Sequence, residues 1–154
     1  MKYDVYVAGS LRNSPKEWWK FYERIAETIE SVGLRAYVPH VQTIERMNQS
    51  VETIHDPNVS MDIRADAYKK NIEMVERCRI IVAELSRLSV GTGVELGFAL
   101  KMAKPIICMA KRDVDVTSMI LGPAHMKMAK MIRYDTEEEA FEGLKQALKE
   151  YLNS

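Results

Sequence analysis

Residues 79–97 read RIIVAELSRLSVGTGVELG, and the fold class follows from them. Ile80, Ile81, Val82 and Ala83 form an apolar run without polar alternation, the pattern of a strand covered on both faces in a parallel sheet. A small-residue loop follows at Ser86, Ser89, Gly91, Thr92 and Gly93, and Val94 to Lys104 returns to helical spacing with Glu95 in its first turn. Small residues let backbone N–H groups approach an anion closely, and the positive end of the following helix attracts negative charge. A glutamate placed there is expected to be held ionised, as suits a nucleophile or charge stabiliser better than a proton donor. Two plainer readings stay open: such turns also occur in α/β proteins without a ligand, and a first-turn Glu also serves as a simple dipole partner. Gly91, Gly93 and Gly97 give G-x-G-x-x-x-G, which is not the dinucleotide fingerprint, and no Lys completes a Walker-type loop.

Composition narrows the partners. The 154 residues are the size of one ordinary domain, expected to span 1–154, and long enough to bury a core. Lys plus Arg and Asp plus Glu number 22 each, so no net field attracts a nucleic acid polymer or an anionic membrane. Any anion must be bound locally. The opening MKYDVYVAGS has no signal-peptide core, and no apolar run reaches membrane-spanning length, so the expected location is cytoplasmic. Cys78 and Cys108 are isolated and lack ligand spacing to His40, His55 or His125, which points to buried, reduced thiols and to no metal site.

From the N-terminus, Tyr3 to Ala8 reads as the first strand and Gly9 to Asn13 as the loop at its carboxyl end. Ser14-Pro15-Lys16-Glu17 has the form of a capping box with proline at the first helical position, and Trp18, Tyr22, Ile25, Ile29 and Val32 follow as the inner face of a helix that Gly33 ends. Leu34 to Val38 is a second strand closed by Pro39-His40. Val41 to Met61, rich in turn formers, reads as a long loop with at most one short helix and is expected to be a lid over the site. A helix then runs from about Asp62, with Ile63, Ala67, Met74, Val75 and Cys78 on its buried stripe. Asn71 falls on that stripe, and a polar amide facing inward needs a partner, either ligand or backbone. Lys104 to Met109 and Ala129 to Tyr134 are further strands, with a short helix between them ended by Gly122-Pro123. Met119, Met126, Met128 and Met131 there serve either the core or a subunit contact. Thr136-Glu137-Glu138-Glu139 caps a terminal helix.

This alternation predicts an α/β fold: a single doubly wound, Rossmann- or flavodoxin-like domain with about five parallel strands and helices on both faces. Ligands in such sheets sit beyond the carboxyl ends of the strands, near the switch in strand order. That gathers Gly9 to Asn13, Pro39-His40, Ser86 to Glu95 and Lys111 to Ser118 into one pocket suited to a nucleotide or sugar phosphate.

Tyr6-Val7-Ala8-Gly9-Ser10-Leu11-Arg12, Pro39-His40-Val41, Val82-Ala83-Glu84-Leu85, Ser89 to Gly97 and Thr117-Ser118-Met119-Ile120 together resemble the nucleoside 2-deoxyribosyltransferase superfamily, most closely its 2′-deoxynucleoside 5′-monophosphate N-hydrolase branch. The resemblance covers nearly the whole chain apart from the expected lid. It implies cleavage or exchange of an N-glycosidic bond, without metal or organic cofactor, by a homodimer or higher homo-oligomer with a shared site. By position it makes Glu95 the group that attacks or stabilises the anomeric carbon, in keeping with the oxocarbenium-like state of glycosidic cleavage. It makes Tyr6 the phenol that orients Glu95 or the sugar, although Tyr is also an ordinary strand residue. It assigns the 5′-phosphate to Gly9, Ser10, Ser89, Gly91 and Gly93, with Thr117 or Ser118 from a neighbouring subunit. Arg12 either adds charge or is solvated, and His40 either lines the pocket or ends a strand.

Asn71 departs from the family pattern, which places an Asp on this helix to handle the leaving base or bond the sugar. An amide is no general acid at neutral pH. Asp62 or Asp66 substitutes, the base leaves with other help, or the protein binds a nucleotide without turnover. Arg79, where the family commonly has a small acidic residue, is a milder departure.

Overall fold

The structure, a computed structural model, describes residues 2–12 and 14–154; Asn13, read above as the end of the first loop, lies outside the described residues. Five runs of the chain pair side by side as parallel strands: β1 (Val5–Ala8), β2 (Ala36–Tyr37), β3 (Ile80–Glu84), β4 (Ile106–Lys111) and β5 (Lys130–Tyr134), in the order β2-β1-β3-β4-β5. The expected doubly wound topology is present. The apolar runs without alternation lie inside: every residue of β1 and β3 is buried, and Val7 pairs with Val82 and Ala8 with Ala83. β5 alternates instead, with Lys130 exposed and Ile132 and Tyr134 buried, as an edge strand does.

Helices cover both faces, each anchored by an apolar stripe. On one side α1 (Lys16–Glu30) and α7 (Glu137–Leu152) bury Phe21, Ile25, Ile29, Leu144 and Leu148 against Val5, Val82 and Met109. On the other, α4 (Met61–Arg77) and α5 (Val90–Lys101) bury Met74, Val75, Leu96 and Ala99 against Tyr6, Ile81 and Cys108. Cys78 and Cys108 are free and buried, as read from their surroundings.

Several local expectations are corrected. The first strand begins at Val5, not Tyr3. Ser14 does not cap α1: Pro15 occupies the cap position, and the Ser14 hydroxyl bonds Ser10 Oγ instead. Val41 to Met61 is not a long loop but mostly helix, α2 (Pro39–Met47) and α3 (Val51–His55). The deciding signals were local: Pro39 opens α2 rather than closing β2, Asn48 ends it in the left-handed conformation at φ 52°, and Ser50 caps α3 by accepting from the Thr53 N–H. α6 (Ser118–His125) runs through Gly122 and Pro123. Met119, Met126 and Met128 are exposed, so they are not core residues.

The order β2-β1-β3 places the switch point between β1 and β3, whose following connections leave toward opposite faces. The crevice there is floored by a tight packing contact. A Cβ on Gly9 would stand 2.6 Å from two ring carbons of Tyr22, whose hydroxyl donates to the Ser10 carbonyl at 2.8 Å. Gly9→Ala must push the Tyr22 ring or the loop aside, and denaturant unfolding is expected to show a loss of about 1–3 kcal/mol, the usual cost of overpacking.

Candidate functional site

Where the β1 and β3 connections part, a cavity is lined by Gly9, Leu11, Pro39, His40, Asn71 and Glu95, and Val7, Tyr22 and Val38 complete its wall. A second cavity adjoins it through Leu11, Pro39, His40 and Asn71 and extends between Ile44, Ile54, His55 and Ala67. The first is polar at its base and the second is mostly apolar. Of the segments expected to meet, the loop after β1, Pro39-His40 and the Glu95 end of the stretch after β3 do meet here, joined by Asn71 from the helix before β3, whereas Lys111 to Ser118 borders neither cavity.

Glu95 sits one turn further into its helix than expected. Ser89 is the N-cap of α5, its hydroxyl accepting from the Thr92 N–H at 3.1 Å, so Gly91, Thr92 and Gly93 are helical and Glu95 is in the second turn. The helix dipole acts mainly on the first turn. Burial therefore dominates and pushes the Glu95 carboxyl up to about 8, while the nearby Tyr6 phenol pulls it partly back. The expectation that Glu95 is held ionised is corrected: burial favours its protonated form near neutral pH.

Tyr6, in the middle of β1, is fully buried and stacks on Tyr37 with ring centroids 5.7 Å apart. Its own ionisation is pushed far up by burial and by the Glu95 carboxyl. The phenol and the carboxyl face each other closely enough to influence each other's titration, yet Tyr6 Oη and Glu95 Oε2 are both enclosed without a formed hydrogen bond. His40, in the first turn of α2, is also buried, and neither ring nitrogen is hydrogen-bonded; Glu23 Oε1 lies 3.6 Å from Nε2. Burial lowers its pKa against the pull of Glu23, so the ring is neutral. Thr92 Oγ1 is a further orphan. Buried polar atoms ordinarily find partners, so the orphans of Tyr6, His40 and Glu95 at one crevice mark a place built for a ligand; Thr92 does not border it.

A second carboxylate makes the contrast. Glu84, at the end of β3, is 1% exposed, but one oxygen accepts from the Ser86 N–H and the other from the Tyr134 hydroxyl at 2.6 Å. Its bonds stay inside the fold.

Other expected residues divide. Gly91 lies one helical turn before Glu95 and shares its face, leaving that face bare. Gly93 shares the opposite arrangement with Gly97, and both line a separate groove with Leu96 and Thr117. Thr117 is the N-cap of α6, and Ser118 is exposed at its first position; within one chain neither borders the Glu95 cavity. Ser10 is buried, linked to Ser14 at 3.0 Å. Arg12 is exposed and lies near enough to His55 to lower its pKa, behind the larger effect of burial. Asn71 is half-buried, its Oδ1 accepting from Thr43 Oγ1 at 2.6 Å.

Sequence reasoning missed Arg87 and Thr43. Arg87 Nε donates to Ser14 Oγ at 3.1 Å, tying the β3 connection to the β1 connection. The only signal for it was one cation in the small-residue stretch Ser86-Arg87-Leu88-Ser89. Thr43 was hidden by the assignment of α2 to a loop. Among the described residues no cluster of three or more His, Cys, Asp or Glu is placed to hold a metal ion, and no helix is long and apolar enough to cross a membrane.

Comparison with known proteins adds to this geometry. The family model for nucleoside 2-deoxyribosyltransferase matches residues 5–147. The chain is 28% identical to the 5-hydroxymethyl-dUMP N-hydrolase of Esox lucius, over 91% of this chain and 97% of the relative. Among solved structures, a 2-deoxyribosyltransferase from Bacillus psychrosaccharolyticus superposes with a TM-score of 0.64 at 18% identity, over 90% of each chain. The CMP N-glycosidase of Clostridium botulinum superposes with a TM-score of 0.61 at 18% identity, over 92% of this chain and 97% of its own. At such identities the superpositions establish the shared fold.

A carboxyl whose folded pKa lies above its unfolded value binds its proton more tightly in the native state, so its contribution to stability is lost as pH rises from about 4.5 through about 8. Glu95→Gln, which cannot ionise, is expected to raise Tm at pH 9 and to change it much less at pH 5; an equal effect at both pH values would show that Glu95 is not desolvated.

Proposed function

Since the chain belongs to the nucleoside 2-deoxyribosyltransferase family, we propose that it is an N-glycosidase that hydrolyses the base–sugar bond of a 2′-deoxynucleoside or nucleoside 5′-monophosphate, releasing free base and sugar 5-phosphate. The observation that carries this reading is the enclosed Glu95 carboxyl with one oxygen unpartnered, opposite the unpartnered Tyr6 phenol, at the switch point of the sheet. The 5-hydroxymethyl-dUMP N-hydrolase likeness over nearly the whole length supports the substrate class.

In the proposed mechanism the ionised form of Glu95 attacks the anomeric carbon, the base departs with the bonding pair, and water then releases the sugar. The enclosed site makes a carboxylate costly by itself and more effective against a cationic transition state. Tyr6 donates to that carboxylate. Neutral His40 lines the sugar, and the apolar cavity between Ile44, Ile54 and Ala67 takes the base. The phosphate goes to the start of α5, at the Ser89 cap and the first-turn N–H groups that Ser89 does not take, with Ser10, Gly9 and Arg87 closing the other side; Ser89 and Arg87 also line the α5–α6 groove. Five to six residues of helix separate Ser89 from Glu95, about 9 Å along the axis, a span that a sugar phosphate and a glutamate side chain bridge together. The chemistry draws on these side chains and water.

The site is completed by a second copy in a homodimer. The groove between α5 and α6 is apolar, and Leu88, Val90 and Met119 beside it are 98%, 88% and 77% exposed. A second copy covering it brings Thr117 and Ser118 to the edge of its partner's phosphate site. A cytoplasmic location belongs to the same reading, because that is where nucleoside monophosphates are handled.

Chromatography of nucleosides and their monophosphates after incubation is expected to show base release from monophosphates, reduced at least about a hundredfold in Glu95→Gln. A new nucleoside formed when a second free base is added would make the protein a transferase instead, and tight nucleotide binding with no base released would make it a sensor. The free-enzyme profile of kcat/KM is expected to rise with pH to a midpoint near about 8, and Tyr6→Phe is expected to move that midpoint up. Light scattering is expected to show a dimer that Leu88→Asp converts to monomer with loss of base release.

A further inference from the structure

Asn71 does not stand alone. Arg46 Nη1 lies 3.2 Å from Tyr37 Oη, Tyr37 Oη lies 2.6 Å from Thr43 Oγ1, and Thr43 Oγ1 lies 2.6 Å from Asn71 Oδ1. Tyr37 is fully buried and Thr43 is 2% exposed, so water does not substitute for any of these bonds. Arg46 is itself held by Glu73 at 2.9 Å. A guanidinium has donors only, so the Tyr37 oxygen accepts from Arg46, and because Thr43 spends its one proton on Asn71 Oδ1, the Tyr37 proton goes to Thr43. Thr43 then has one proton left to give, and it goes to the Asn71 carbonyl oxygen. Each hydroxyl in the row is committed, and the direction of donation runs one way, from Arg46 to Asn71.

The consequence is a fixed amide. With Oδ1 turned back to Thr43, the Asn71 NH2 group remains for the two cavities that Asn71 borders, one holding Glu95 and the other the apolar base pocket. Among the described residues that NH2 makes no hydrogen bond. Asp62 and Asp66, the carboxylates considered as substitutes on the same helix, border neither cavity, and Asp66 is paired to Lys70. At Asn71 the base end of the site therefore offers a donor that cannot give up its proton, beside the imidazoles of His40 and His55.

We propose that the Asn71 amide is the leaving-group contact and makes the enzyme selective for pyrimidine monophosphates, whose 2-keto base leaves as an anion, over purines, which need protonation to leave; Thr43, Tyr37 and Arg46 act as positioning residues. The proposal rests on the hydrolase reading. When the bond between the anomeric carbon and N1 breaks, the electron pair stays on the base and spreads onto its 2-keto oxygen, next to N1. The amide N–H stabilises that oxygen without transferring a proton, and the departed base takes its proton from water. Meanwhile the anomeric carbon bonds to a Glu95 oxygen and is later released by a water molecule, so the net reaction consumes one water. A purine has no carbonyl beside its glycosidic nitrogen, so the Asn71 amide gives its departure no such stabilisation.

The test is a leaving-group series on the full-length protein. Wild type is expected to release base from dUMP faster than from dAMP, and from 5-fluoro-dUMP faster than from dUMP, because fluorine makes the departing anion more stable. Asn71→Ala is expected to lower kcat on dUMP by about tenfold, the worth of one hydrogen bond to a charged group, and less on the fluorinated substrate. Thr43→Val, nearly the same shape, is expected to lower kcat severalfold with little change in KM, and to add nothing in the Asn71→Ala background. If Thr43→Val does not fold, Arg46→Met and the wild-type series still decide. Asn71→Asp is expected to slow dUMP and to give dAMP release that falls as pH rises. Release from monophosphates that is indifferent to base acidity, or dAMP cleaved as fast as dUMP by wild type, overturns this inference alone; no base release from any nucleotide overturns it together with the hydrolase reading.

Discussion

Two glutamates have enclosed carboxylate oxygens at the carboxyl end of the sheet, and the difference between them organises the molecule. Glu84 has both oxygens satisfied by the turn it closes and by Tyr134, so its burial holds the β3 connection to the edge strand. Glu95 is enclosed with one oxygen unpartnered, facing a phenol that is also unpartnered. Desolvation without compensation destabilises the charged form, which is why its proton is retained to about pH 8. A fold tolerates such a group where the missing partner arrives from outside.

The position of that group follows from strand order. β1 and β3 are neighbours, but their connections leave toward opposite faces, so the backbone parts just beyond Ala8 and Glu84. Gly9 lies close against the Tyr22 ring, which keeps the floor of the crevice narrow, and Arg87 reaches Ser14 across it. α2 then forms the third wall with His40, because Pro39 turns the chain directly from strand into helix. The result is a polar end against α5 and an apolar end under α2 and α3, matching the division of a nucleotide into sugar phosphate and base.

The row from Arg46 through Tyr37 and Thr43 to Asn71 shows how a single substitution of type changes the chemistry of one end of this site. A carboxylate at position 71 would face the same Thr43 hydroxyl but present an acceptor or a proton to the base. An amide presents donors only on its free side, and the buried hydroxyls decide which side is free.

Much of this was written in the order of residues. The apolar run Ile80–Ala83, the helical spacing after it and the two βα units preceding it determine a doubly wound sheet, because local periodicity and chain connectivity leave few other solutions. The rule that ligands sit at the strand tips gathers Gly9, His40 and Glu95, and the family resemblance adds Tyr6 and Asn71; these converge, while Lys111 to Ser118, gathered by the same rule, does not border their cavity. Packing settled the rest. The helix boundary at Ser89 separates Gly91, on the Glu95 face, from Gly93, on the α5–α6 groove, and places Thr117 and Ser118 away from the site within one chain. The proton on Glu95 and the orientation of Asn71 depend on how thoroughly β1, α2 and α4, far apart along the chain, exclude water from one point. Desolvation and committed hydrogen bonds are properties of that enclosure, and no spacing of residues encodes them before the chain has closed around it.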